Sequence, residues 1–380
     1  MAGIVDALME SRKPRYRMPA EWEPHEGTWL AWPHERSDWP GRFSPIPWVY
    51  CEIVRHLTPH ERVHILVPDD ESRAKARRML RQCHVDLNAV DFQILRTNRS
   101  WIRDFGPIFV NGDDGETVIT NWHFNGWAKY GDWQLDDAVP SLVAARLGMV
   151  EIQPAKLQQP TLGNKEDNTE DHKAIVLEGG SIDVNGKGSL LTTEECLLSD
   201  VQARNPGLSR QDLESVFRDF LGIRNTLWLK NGITGDDTHG HVDDLARFTD
   251  ASTVVIATES DPRDTNYEPL LENLRLLREM RDQDGTPLRI VPLPMPEPVW
   301  FQDQRLPASY ANFYIANNTV LVPTFNDVND RRALDVLSTV FPDRDVRGIH
   351  CLDLVLGLGT LHCMTQQQIA PAVRNGDAGA

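Results

Sequence analysis

Cysteine is scarce in this chain, with five among 380 residues. Cys51, Cys83, Cys196, Cys351 and Cys363 are odd in number, widely spaced and without a C-x-x-C pair. That spacing excludes a disulfide framework and a cysteine-only zinc site. Long apolar runs are also missing: none approaches the roughly 18 residues of a membrane span. Positive charge is in deficit, with 39 Lys and Arg against 56 Asp and Glu and a net charge of −17. Nucleic acid and anionic membranes are therefore poor partners, whereas a cationic ligand would be attracted. The opening MAGIVDALMESRKPRYR carries charges before a signal-peptide core can develop, so a cytoplasmic protein is expected. Tryptophan, by contrast, is plentiful. Trp22, Trp29, Trp32, Trp39 and Trp48 cluster early, as core or interface packing with one or two left to line a pocket.

One of the few cysteines has unusual company. The stretch Gly357-Leu-Gly359-Thr-Leu-His362-Cys363-Met-Thr-Gln366-Gln-Gln368 surrounds Cys363 with glycines, a histidine and amides. Such a loop can hold a thiol in the open and let backbone N–H groups approach a ligand. A structural cysteine beside a turn is the plainer alternative.

The chain also repeats itself. Four times, two β-type runs flank a tight turn, at Asn111-Gly-Asp-Asp-Gly115, Asn185-Gly-Lys-Gly188, Thr249-Asp-Ala-Ser252 and Asn317-Asn318. The first two carry the Asn-Gly hairpin signal. Helical periodicity follows each pair, predicting helices over 136–147, 210–221, 266–281 and 330–340. Short strands follow these helices at 150–153, 226–229, 288–291 and 348–351. Helices at 47–57 and 72–82, with strands at 63–67 and 92–95, form half units that the C-terminal piece would complete.

The period predicts one domain of about five ββαβ units in a propeller-like ring; the alternative is an ordinary α/β domain. In the ring, the segments 98–106, 171–180, 230–243, 302–312 and 357–363 would share one end. They hold nearly all the unusual residues. The polar stretch 153–173 is expected as an exposed excursion over or beside the mouth of that end, with an ornamental surface loop as the alternative.

Asp104 stands in Trp101-Ile-Arg103-Asp104-Phe-Gly106-Pro107, where it could simply cap a turn or pair with Arg103. Glu178 ends an apolar run against Gly179 and Gly180, where a turn would also explain it. Residues 236–244 hold four aspartates and two histidines, His239 and His241. Three readings fit them: a metal site on one strand face, an acid/base pair of His241 and Asp243, or a surface loop. Cysteine, histidine and carboxylates together point to thiol catalysis. Carboxylates around a thiol raise its pKa, so the arrangement makes sense for a cationic substrate that neutralises them. A guanidinium fits, with donors for bidentate carboxylates and an electrophilic carbon.

The sequence resembles the agmatine deiminases, in the peptidylarginine deiminase-type branch of the guanidine-modifying, or pentein, superfamily. The stretches that carry the likeness begin with Met18-Pro-Ala-Glu-Trp-Glu-Pro24-His25, Trp101 to Pro107 and Glu178-Gly-Gly-Ser-Ile-Asp183. They continue with Thr193-Glu-Glu-Cys-Leu197, Gly240-His-Val-Asp243, Ala308-Ser-Tyr-Ala-Asn312-Phe-Tyr-Ile-Ala-Asn317 and His362-Cys-Met-Thr-Gln-Gln-Gln368. The likeness covers about residues 16–370 of a single 1–380 catalytic domain, leaving short tails.

The resemblance implies a five-fold α/β propeller. It implies Cys363 as nucleophile and His241 as general acid/base. Asp104 and Asp243 would hold the guanidinium nitrogens, Glu178 would support His241 or the substrate, and Trp127 would lie near the substrate chain. It implies conversion of agmatine to N-carbamoylputrescine and ammonia, on the route to putrescine and polyamines, with neither metal nor cofactor. A homodimer is compatible with it. The expectation is that the five polar residues meet in one cavity within about 10 Å, while the other four cysteines lack such a carboxylate cage.

The family usually reads Gly-Gly-Gly-Asn before Ile-His-Cys; here Leu358 replaces a flexible position and Thr360 an amide, and Ile369 stands where proline is common. Beside a guanidine-binding protein that has lost turnover through the changes at Leu358 and Thr360, two alternative activities accompany this reading. One is a peptidylarginine deiminase-like activity, disfavoured because residues 125–133 contain no arginine to grip a carboxylate. The other is a metal-dependent hydrolase built on His239 and His241.

Overall fold

The computed structural model describes residues 15–156 and 173–371. The fold is mixed α/β, and one local topology recurs in it. A short antiparallel hairpin is followed by a helical segment and a third strand parallel to the hairpin's second strand. Ile108–Gly112 and Thr117–Thr120 form the first hairpin, and Glu151–Ile152 joins it in parallel. Asp183–Val184, Ser189–Thr193 and Asn225–Leu229 repeat the pattern. So do Ala246–Phe248, Thr253–Thr258 and Arg289–Pro294, and Tyr314–Ile315, Thr319–Thr324 and Asp345–His350.

The fifth sheet joins the two ends of the described chain. Gln366–Ile369 runs antiparallel to His25–Ala31, which pairs in parallel with Arg62–Val67, and Val90–Ile94 extends the sheet further. The Trp29 indole N–H donates to Gln368 Oε1 across that pairing (2.9 Å).

The local causes are those that the periodicity suggested. Asn185 caps its own turn: its Oδ1 accepts from the N–H groups of Lys187 and Ser189, both at 2.9 Å. Val254, Val255 and Ile256 are all fully buried, as expected for a strand covered on both faces. Helix Arg210–Leu221 opens on a Ser209/Asp212 capping box. The helix expected over 136–147 is instead two, Gln134–Asp137 and Val139–Leu147. Pro140 lies in the first turn of the second, where the missing N–H costs nothing. Of the expected excursion, residues 157–172 lie outside the described residues; its flanks, Ala155–Lys156 and Lys173–Ala174, pair antiparallel. Among the described residues no helix is long and apolar enough to cross a membrane.

The connections between units carry short helical turns that pack on one another. Ile102–Phe105 contacts Gly179–Ser181, which contacts Val242–Asp244. Three segments far apart in sequence thereby place Asp104, Glu178, His241 and Asp243 around one point.

Candidate active site

That point is the α-carbon of Gly180. A β-carbon there would lie 2.6 Å from His241 Nδ1, 2.8 Å from Asp104 Oδ1 and 3.1 Å from Asp243 Oδ2. Only glycine leaves room for the three side chains to approach this closely. Asp104 Oδ1 stands 3.7 Å from His241 Nδ1, and Glu178 Oε2 stands 3.7 Å from His241 Nε2. Both separations exceed hydrogen-bond length, so the carboxylates act on the imidazole through charge. Cys363 Sγ lies 3.7 Å from Asp243 Oδ2 and accepts from Asn312 Nδ2 at 3.2 Å.

A cavity of about 660 Å³ opens onto this cluster. Asp104, Trp127 and Cys363 line it, together with Trp101 and Tyr130. Glu178, His241 and Asp243 do not. They are buried, so of the five polar residues expected to meet in one cavity only Asp104 and Cys363 line it. The thiol is not held in the open either: Cys363 is 6% exposed, at the cavity wall. Its loop folds inward because the backbone at Gly359 passes against Cys363, where a β-carbon would lie 3.1 Å from Sγ.

Burial sets the protonation states. It pushes the Cys363 thiol well above its ordinary pKa, and Asp243, Asp244 and Asp104 push further the same way. Asp104 is raised to about 6, by burial and by its neighbours Asp243 and Glu178, against the pull of His241. For His241, burial pulls the pKa down, but Asp104 and then Cys196 and Glu178 outweigh it and hold the imidazolium well above its usual range. Burial would likewise raise Glu178, but Arg204 and His241 hold it at about 2. Asp243 is lowered because His362 outweighs its burial. The cluster therefore presents a neutral thiol, a charged imidazolium and carboxylates at Glu178 and Asp243.

Several partners carried no clear signal in the sequence. Arg204 Nε donates to Glu178 Oε1 at 2.9 Å. His362 bridges two acids, with Nδ1 2.7 Å from Asp243 Oδ2 and Nε2 2.8 Å from Glu21 Oε2. Glu21 also pairs with Arg247 and Arg103, at 2.9 and 3.3 Å. This buried network orients Asp243 without touching the cavity. Glu21, Asn312 and His362 all fall in the stretches noted for resemblance, which was the available hint.

The two loop departures are accommodated. Leu358 adopts the left-handed conformation that suits glycine, with φ of +69°; for a side-chain-bearing residue this costs about 1–2 kcal/mol. The Thr360 hydroxyl donates to Asn312 Oδ1 at 2.7 Å, fixing the amide that contacts the thiol.

Three sequence readings can be set beside the structure. His239 does not join His241, the orientation its glycine-broken turn suggests. It has φ of +66°, and its ring lies 3.3 Å from Ser199 Oγ and 3.9 Å from Glu195. The metal site imagined on the two histidines therefore does not assemble. Cys196 does have acidic company, because its thiol lies beside His241 and Glu178. Finally, an arginine does line the cavity. Arg99 reaches it from an earlier loop, ion-paired with Asp38 and Asp132 and stacked 4.6 Å from the Tyr130 ring centroid. Trp127, at φ +57°, donates its indole N–H to Asp104 Oδ2 at 2.9 Å.

Comparison with known proteins places the chain in a family. Residues 17–368 match the model of the Porphyromonas-type peptidyl-arginine deiminase family. The agmatine deiminase of Pseudomonas aeruginosa (strain LESB58) is 34% identical, over 95% of this chain and 97% of its own length. Among solved structures, the agmatine deiminase of Enterococcus faecalis superposes with a TM-score of 0.82 at 30% identity, covering 94% of this chain and 96% of that one. The substrate-bound agmatine deiminase of C. jejuni gives a TM-score of 0.80 at 29% identity, covering 94% and 97%. With a family model matching residues 17–368 and relatives about 34% identical along nearly the whole chain, the chain belongs to the Porphyromonas-type peptidyl-arginine deiminase family.

Proposed function

We propose that this protein is a hydrolase that converts agmatine and water to N-carbamoylputrescine and ammonia through a covalent adduct on Cys363. The observation that carries the reading is the convergence of Asp104, His241 and Asp243 around Gly180, with the Cys363 thiol 3.7 Å from Asp243 Oδ2. Curated relatives named as agmatine deiminases, alike along almost the whole chain, support the substrate.

The charge of the cavity supports it too. Asp38, Asp104, Asp237 and Asp303 line it, and Arg99, the one arginine among the described lining residues, is already engaged by Asp38 and Asp132. Agmatine carries a cation at each end and no carboxylate. Arginine would bring a carboxylate to an acidic wall, at a Coulombic cost of about 1 kcal/mol or more per close pair.

In this mechanism the guanidinium docks against Asp104 and Asp243. Its positive charge offsets the carboxylates that hold the Cys363 thiol neutral, so the thiol loses its proton as substrate binds. The thiolate attacks the guanidinium carbon. The His241 imidazolium then protonates the departing nitrogen, ammonia leaves and an S-alkylthiouronium remains. Neutral His241 takes a proton from water, which adds to the same carbon. Collapse breaks the C–S bond and releases the carbamoyl product, the hydroxyl proton passing to the sulfur so that the neutral Cys363 thiol is restored, while the proton the thiol gave up at binding ends on ammonia. Glu178, itself held by Arg204, keeps the imidazolium favoured. No step calls for a metal or an organic cofactor.

The same reading arranges the five sheets as blades of a pentein propeller within one catalytic domain. The pairing of Gln366–Ile369 with His25–Ala31, which joins the two ends, supports it. A cytoplasmic location fits five unpaired cysteines.

The test is an ammonia-release assay on agmatine, arginine and a peptide ending in arginine. Agmatine is expected to give the highest kcat/KM by far; preference for either of the others overturns the substrate assignment. Loss of activity after chelator dialysis, restored by metal, would favour a metal-dependent hydrolase instead.

Two further outcomes follow from the geometry. Gly180→Ala forces the His241, Asp104 and Asp243 side chains apart and is expected to lower kcat/KM by about 10²-fold, the scale of a 1 Å misplacement. Circular dichroism should show the fold intact, and near-wild-type turnover would mean that the close approach is dispensable. His239→Ala, by contrast, should keep most of kcat, since its ring faces Ser199 and Glu195. Steady-state kinetics on the purified variant decides this, and a loss beyond about tenfold, or 1.4 kcal/mol of barrier, would return His239 to the chemistry.

A further inference from the structure

Cys196 is a second thiol within reach of His241, and the mechanism above gives it no task. It lies in the short helix Glu194–Leu198, fully buried, with its N–H bound to the Thr193 hydroxyl at 3.1 Å. One donor atom each from Glu178, Cys196 and His241 lies within 4.8 Å of the other two. All three side chains are buried, and neither ring nitrogen of His241 nor Glu178 Oε2 has a hydrogen-bond partner. The second oxygen of Glu178 is fixed by Arg204, so the carboxylate cannot turn away.

We propose that Glu178, Cys196 and His241 form an inhibitory site for a thiophilic divalent cation such as Zn²⁺. The donor set is one sulfur, one imidazole nitrogen and one carboxylate oxygen, a combination that zinc accepts, and three protein ligands leave a coordination position for water. Ligand atoms around a tetrahedral zinc stand roughly 3.3–3.6 Å apart. The Glu178 Oε2 to His241 Nε2 separation of 3.7 Å is already close to that. Binding displaces the Cys196 proton and any proton on the coordinating nitrogen of His241. The route in is acidic: Asp104 lines the cavity and stands 3.7 Å from His241. A metal there occupies a ring nitrogen of His241 and stops it from carrying protons. The inhibitory consequence rests on the proposed role of His241, but the binding itself does not.

The experiment uses Co²⁺ as a coloured stand-in for Zn²⁺, titrated into the full chain. One equivalent of a thiolate-to-Co²⁺ charge-transfer band is expected. It should persist in Cys363→Ser, vanish in Cys196→Ser and be displaced by Zn²⁺. Competition with a chromophoric chelator should show Zn²⁺ affinity falling at least tenfold in Cys196→Ser and in Glu178→Gln; the second variant decides if the first does not fold. Absence of the band in the wild type overturns the proposal. So does a band lost in Cys363→Ser but kept in Cys196→Ser, which would place the metal on the cavity thiol. Zn²⁺ should also inhibit ammonia release from agmatine reversibly, at a concentration at least tenfold higher in Cys196→Ser. If agmatine releases no ammonia but the Co²⁺ band forms, the functional reading fails and the metal site stands; ammonia release without a band is the converse.

Discussion

Replacing Cys363 with serine should lower ammonia release from agmatine by about 10⁴-fold or more while leaving agmatine binding largely intact. Removal of a catalytic nucleophile elsewhere costs up to roughly 10⁶-fold in kcat. Here a hydroxyl has no dedicated base, because His241 is held in its charged form by Asp104, Cys196 and Glu178 against the effect of burial. Binding survives because Asp104 and Asp243 are untouched. Isothermal titration of the variant with agmatine, beside single-turnover ammonia release, separates the two effects. Ammonia release within about tenfold of wild type would remove Cys363 from the chemistry.

A companion measurement uses a haloacetamidine, which should inactivate the wild type by labelling Cys363, with agmatine protecting. The selectivity rests on access. Cys196 also has acidic neighbours, but it is fully buried and does not line the cavity. Inactivation with the label on Cys51, Cys83, Cys196 or Cys351 would be incompatible with the mechanism.

The second large effect is expected from His241→Ala. General acid and base steps contribute about 10²–10⁴-fold, and His241 serves both halves of the proposed reaction, so a loss in kcat at the upper end of that range is expected. The pH profile adds a readout that a purely structural role would not move. In the wild type, activity should rise with pH as the substrate-bound thiol ionises and fall at high pH as the imidazolium is lost. Because the imidazolium is held well above the ordinary histidine range, the falling limb lies on the alkaline side of neutrality. In His241→Ala that limb should disappear from the residual activity. Retention of the same alkaline limb in the variant would assign it to another group and leave His241 without its role.

Much of the architecture was legible locally. The four hairpin turns lie where Asn-Gly, Asp and Asn residues mark them, and helices Arg210–Leu221 and Asp330–Val340 match the periodic segments. Turn chemistry and apolar period act between near neighbours in the chain, so a linear reading captures them. Strand 366–369 was harder to see. Its Gln-Gln-Gln-Ile run has little β signal, and only pairing with His25–Ala31 makes it a strand.

The site divided in the same way. Residue types and spacing drew attention to Asp104, Glu178, His241, Asp243 and Cys363 but left turns or a surface loop as alternatives, and the family resemblance gave these residues their expected roles. A net charge of −17 and the resemblance to agmatine deiminases made a cationic substrate the expectation. Only the tertiary structure decided which group faces the cavity and which lies behind it. It also decided that His239 turns away, that Cys196 joins His241, that Arg99 arrives at the cavity already neutralised, and that Arg204 and His362 hold the acids. These are contacts between residues tens to hundreds of positions apart. Whether a thiol is neutral or an imidazole charged depends on burial and on charges within a few ångströms, and neither has a period or a motif in the chain.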